Sequence, residues 1–262
     1  PTASSPADAL IALKGGTLSI SGARFRVDRP APLDALIRVD DGSLGLHWCE
    51  LTAPRDLDQP PPRLVDYHAT TTRPRPLDAY SPIAGSRDRP ACVISECVLT
   101  TIGDAIRAEI GRGIMAVVRS AVGARGDVFT LVPVRTARSR FHADLTIDRS
   151  TIATAQAVVR VAAWPGEAPG PDRPWLVAST NTAYVDVSER SPRESVLCRA
   201  DAEAFAQGQF FWREHNDVIE LGAFTAADDS APANRSRDVV AQWMDLWGEC
   251  NIENVAGPRP GL

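Results

Sequence analysis

Residues 97–123 read CVLTTIGDAIRAEIGRGIMAVVRSAVG, and residues 127–187 read DVFTLVPVRTARSRFHADLTIDRSTIATAQAVVRVAAWPGEAPGPDRPWLVASTNTAYVDV. In the first, Ile102, Ile106, Ile110 and Ile114 recur every four positions, with Val117 and Val118 beyond them. Apolar residues at that spacing predict an amphipathic helix. Asp104, Arg107, Glu109, Arg112 and Arg119 fill much of its other surface. Thr100 or Thr101 stands where an N-cap is needed, Asp104 near the positive helix end, and Gly123 where the helix stops. Gly111 and Gly113 each weaken such a helix by about 1 kcal/mol, which suits one pressed closely onto a sheet. The second stretch predicts strands at 128–134, 141–147, 151–164 and 175–187. Phe141, Ala143, Leu145 and Ile147 share one face of the second of these. Consecutive strands with short links favour an antiparallel meander.

Outward from this core the signals weaken. Residues 7–13 read as weakly helical, and Gly15-Gly16 breaks them. Residues 17–27 predict two short strands with a turn at Ser21-Gly22. Leu36–Val39 and Leu44–Leu51 predict two more, joined by Asp40-Asp41-Gly42. Residues 53–90 are rich in proline and arginine and predict an extended arm. Beyond Pro192, helices are expected at 200–212 and 236–247, with a strand at 218–224. The expected division is strands and an arm over 1–90, a core over 91–188, and a helical extension over 189–262.

Net charge is −5, against a generally basic nucleic-acid binder. Its distribution is uneven: residues 61–149 hold 13 Arg and 9 acidic residues, and residues 189–262 hold 7 Arg and 13 acidic residues. The candidate phosphate contacts are Arg63, Arg73, Arg75, Arg87, Arg89, Arg138 and Arg140. Five scattered cysteines without CxxC or ligand-spaced histidine read as free buried thiols, so no metal and no cofactor are expected. No apolar run of about 18 residues is present and the start lacks a signal-peptide pattern, so a soluble, intracellular protein is expected. Neither GxxxxGK[ST] nor GxSxG occurs.

A long helix followed by long strands resembles the hotdog fold, in which an antiparallel sheet wraps a central helix. The resemblance covers about 90 residues. Its closest details are the turn Arg149-Ser150-Thr151-Ile152-Ala153 and the strand start Leu176-Val177-Ala178, which look like thioesterases of that fold. The resemblance implies an α+β fold and an acyl-CoA thioesterase or dehydratase, with Asp104 or Glu109 as the base. Residues 93–104 lack the His-Gly-Gly turn whose amides polarise a thioester carbonyl in that family. The composition, with Ala 38, Pro 21 and Ser 17, resembles the proline-alanine-serine-rich proteins of polymycoviruses, which coat double-stranded RNA. The expectation is therefore a non-enzymatic, self-associating coat-like protein on a hotdog core. Its partners would be further copies of itself and RNA phosphates, in the cytoplasm or a virus particle.

Overall fold

A computed structural model describes residues 9–27, 33–53, 61–69, 91–110, 113–132, 143–162, 175–188, 195–200 and 210–227. These form strands and turns, with no helix among the described residues. Coil 1 comprises β1 (Ala9–Lys14), β2 (Thr17–Ser21) and β3 (Arg24–Arg26). Coil 2 follows as β4 (Ala35–Asp40), β5 (Ser43–His47) and β6 (Glu50–Thr52). Coil 3 is β7 (Arg63–Ala69), β8 (Ala91–Ser95) and β9 (Val98–Thr101). Coil 4 is β10 (Ile106–Ile110), β11 (Gly113–Val118) and β12 (Ala121–Ala124). Coil 5 is β13 (Phe129–Val132), β14 (Ala143–Asp148) and β15 (Thr151–Thr154). Coil 6 is β16 (Ala157–Val161), β17 (Trp175–Thr180) and β18 (Ala183–Asp186). Coil 7 is β19 (Val196–Ala200), β20 (Phe210–His215) and β21 (Val218–Glu220), and β22 (Ala223–Ala227) opens an eighth.

Every strand pairs in parallel with the strand three places along the chain, giving three sheets of eight, seven and seven strands. This is a three-sided parallel β-solenoid. Each coil buries its apolar side chains against the coils on either side, so stability accrues by stacking. One inward column on the third sheet runs Phe25, Leu51, Leu99, Val122, Ile152, Tyr184 and Ile219. Stacking continues unbroken past residues 90 and 189, because β7 pairs with β10 and β16 with β19.

The expected α+β hotdog fold, with its helix over 97–123, is overturned. That segment forms β9, β10, β11 and β12. A spacing of four belongs to strands as well as helices, because residues i, i+2 and i+4 share a strand face. Ile106, Ala108 and Ile110 are such a set, and all are buried. Thr101, read as a helix cap, caps a turn: its Oγ1 accepts the Gly103 amide at 3.1 Å. The meander is likewise parallel, and the long strands expected at 151–164 and 175–187 are each two strands bent at a corner. Residues 9–14 are strand β1, and Phe210–His215 is strand β20. The helix expected at 236–247 lies outside the described residues.

The second corner, between second and third sheets, repeats one geometry. A single left-handed residue makes each bend: Gly22, Trp48, Glu96, Arg119, Arg149, Asn181 and Asn216, with φ between 47° and 65°. Except at Asn216, each amide donates to a carbonyl of the next coil, as Arg119 does to Asp148 at 2.9 Å. The residue after the bend turns inward and is buried: Cys49, Cys97, Ser120, Ser150, Thr182 and Asp217. Backbone amides in this column donate to the γ atom one coil on: Cys49 to Cys97, Cys97 to Ser120, and Ser120 to Ser150 at 3.3, 3.1 and 3.2 Å. Those γ groups donate back to their own coil, Ser120 to the Val118 carbonyl and Ser150 to that of Asp148.

Two outcomes follow from this corner. Ser120→Ala leaves the buried Cys97 amide without its acceptor and should lower stability by about 1–3 kcal/mol in urea unfolding, whereas Ser120→Cys should retain most of it. Arg119→Gly should stabilise by up to about 1 kcal/mol, and Arg119→Val should destabilise, because a branched side chain resists left-handed backbone.

Candidate functional site

The outer face of the first sheet carries the densest array of charge chemistry. Residues pointing outward from β4, β7 and β10 fall in register: Arg38 beside Asp66 beside Arg107, and Asp40 beside His68 beside Glu109. Lys14 of β1 extends the second row next to Asp40. Signs alternate along and across these rows, and opposite charges on neighbouring strands stabilise a sheet.

At its centre four side chains close on one another. Asp66 Oδ1 lies 2.9 Å from His68 Nε2, and Glu109 Oε2 lies 3.1 Å from His68 Nδ1. Arg107 reaches Asp66 Oδ1 and Glu109 Oε2 at 3.3 Å each. Asp66 is almost fully covered, with 4% of its side chain exposed. Burial pushes its pKa up, but the His68 bond and the charges of His68, Arg107 and Arg63 outweigh burial and hold it below the usual value. The bond to Asp66 raises the pKa of His68. Both ring nitrogens therefore face carboxylates, which favours the imidazolium and leaves no lone pair to accept a substrate proton. The arrangement is a closed ionic lattice.

Of the two expected catalytic carboxylates, Glu109 belongs to this lattice. Asp104 stands at the other end of β10, in the corner between third and first sheets, where its Oδ1 accepts the Asp127 amide at 2.9 Å. Asp127 in turn accepts the Ala157 amide at 3.1 Å, and burial, reinforced by the charge of Asp104, pushes its carboxyl up to about 6. Arg63 opens β7 near Asp66. Arg73, Arg75, Arg87, Arg89, Arg138 and Arg140 lie outside the described residues. In the sequence they fall between β7 and β8 and between β13 and β14.

Pairing across coils found residues that spacing alone did not. His47 Nδ1 and Ser95 Oγ lie 2.5 Å apart on the second sheet, at 48 residues' separation. That is nucleophile-to-base reach. Among the described residues no carboxylate contacts His47, and Ser95 is 8% exposed, so the pair lacks an orienting acid and substrate access. No group of three metal-ligating side chains is present among the described residues. No described helix is long and apolar enough to cross a membrane. No protein-family model, curated protein or solved structure matches the chain.

The lattice has a calculable pH dependence. Stability from His68 is fully present below its ordinary value of 6.5 and is lost as pH rises through its raised folded value. Stability from Asp66 is present above 3.8 and is lost as pH falls through its lowered value. His68→Gln should lower the urea midpoint at pH 6 and flatten its decline above pH 6.5, measured against wild type.

Proposed function

We propose that this chain is a non-enzymatic, self-associating structural protein whose unit is the coil stack. The observation that carries this reading is the state of coil 1. Its inward residues Ile11, Leu13, Leu18, Ile20 and Phe25 are only partly buried, whereas their counterparts in coil 2, Ile37, Val39, Leu44, Leu46 and Leu51, are 0% exposed. β1, β2 and β3 also stand last in their sheets, with one edge each unpaired among the described residues. Three strand edges around an apolar layer fit one occupant best, a matching coil from a second copy, because only strands satisfy such edges. The other end differs: Trp212, Ile219 and Leu221 of the last coil are 3–4% exposed. Among the described residues β20, β21 and β22 also stand last in their sheets, so the ends differ in the exposed apolar layer of coil 1, which favours an isologous pair over an unlimited filament.

The closed ionic lattice supports a role without chemistry. The acyl-CoA alternative loses its basis with the hotdog fold, since it needs an acyl chain held between a sheet and a central helix. Contact with RNA phosphates belongs to the proposal through the arginines between β7 and β8 and between β13 and β14, and takes the form of a coat protein within a virus particle. The four described thiols are free and buried, which fits the reducing cytoplasm.

Light scattering on the purified chain should give at least twice the chain mass. Ile20→Lys should return it to one copy with the coil fold intact by circular dichroism, since a change in a terminal coil stays local. Bound nucleic acid should raise the 260/280 nm absorbance ratio and leave at high salt. A wild-type monomer at every concentration would overturn the reading.

A further inference from the structure

The interior of the solenoid changes character at its last two coils. The inward column of the second sheet runs Ile20, Leu46, Ile94, Val117 and Ile147, then becomes Ser179 and Glu214. Beside it the second-corner column ends on Asp217, which is 0% exposed. The Cys, Ser and Thr side chains earlier in this column each carry a hydrogen that can bond their own coil's backbone, as Thr182 Oγ1 does to the Thr180 carbonyl at 3.0 Å. A carboxylate accepts but has no hydrogen to give. Asp217 Oδ1 takes the Thr182 amide at 2.8 Å, while Oδ2 has no hydrogen-bond partner. Both carboxyl oxygens of Glu214 are also buried without a partner.

We propose that coil 7 is a proton-operated latch, closed while at least one of Glu214 and Asp217 is protonated and loosened when both ionise. With one proton present, the two carboxyls carry one negative charge in the interior. With none they carry two, and the charge of Asp217 opposes ionisation of Glu214. Among the described residues no cation acts on Glu214. Ser179 on β17 and Tyr184 on β18 supply hydroxyls, 2.5 Å from each other. Ser179 and the exposed His215 act on Asp217, partly offsetting its burial. Burial, then the charge of Asp217, raises Glu214 to about 7, and burial raises Asp217.

The sign follows. A carboxyl raised from its ordinary 4.5 to about 7 lends stability that is full below pH 4.5 and lost as pH rises through about 7. The latch is therefore closed in mild acid and loose in mild alkali. Opening is confined to the last coil because each coil of a solenoid touches only its neighbours.

Hydrogen exchange followed by mass spectrometry tests this on the full chain, corrected for intrinsic rates. Protection of peptides spanning 210–222 should fall by about tenfold between pH 5 and pH 8, while peptides spanning 35–52 should keep theirs. Glu214→Gln should hold the pH 5 protection throughout. Glu214→Leu, which continues the apolar column, should do the same and serves if the glutamine variant does not fold. Protection at 210–222 that is independent of pH in the wild type overturns the proposal, as does a pH dependence that survives both substitutions.

Discussion

The ladder at the second corner is the interaction on which the remaining structure depends. A three-sided solenoid must bend its chain three times per coil without leaving buried backbone groups unpaired. Here one left-handed residue makes the bend, and its amide joins the next coil in all but the last of seven bends. The inward residue behind it brings a small γ group that accepts one amide and donates to one carbonyl. Sulfur and oxygen both serve, so Cys97, Ser120 and Ser150 are equivalent parts of one device, while Cys49 at its end donates to carbonyls alone. The two thiols are thereby placed as packing and bonding groups, and burial pushes Cys97 up to about 11, far from a reactive thiolate.

Given that corner, register follows and the two faces of each sheet acquire separate roles. Inward residues stack like on like: Ile37, Val65, Ile106 and Phe129 on one sheet, Leu51, Leu99, Val122 and Ile152 on another. Stacking like on like outside would be destructive for charges, because side chains in neighbouring coils lie about 5 Å apart. The outer face instead alternates, with Lys14, Asp40, His68 and Glu109 in one row. Asp217 and Glu214 are the interior counter-example, two buried carboxyls in one coil. The same rule that stabilises the outer lattice makes that site sensitive to protons.

Local turn chemistry was legible in the sequence. The bends at Ser21-Gly22 and Asp40-Asp41-Gly42 lie where glycine and aspartate predict them, with φ of 65° at Gly22 and 53° at Asp41. The strands around them, and the shared face of Leu145 and Ile147, follow from alternation. Other bends were hidden, because Trp48, Glu96, Arg119 and Arg149 are not residues that advertise left-handed backbone. Without those breaks, 97–123 reads as one continuous element, and isoleucines four apart satisfy helix and strand equally. Coil lengths vary as well: equivalent strands β7 and β10 begin 43 residues apart, β10 and β13 only 23. No fixed period therefore exposes the repeat. The candidate sites were hidden for the same reason, since Asp66 meets Arg107 and His68 meets Glu109 across a separation of 41 positions.

The sequence by itself determined that short β-forming runs alternate with turns, that the four described cysteines are buried and free, and that charge is distributed unevenly. Those are consequences of local preference and composition. Only the tertiary structure decided that the strands run parallel, that coils stack in register, and which charges face which. Strand direction and cross-coil pairing are settled by where an inward face finds another to cover it. That choice is made between residues far apart in the chain, and local spacing carries no record of it.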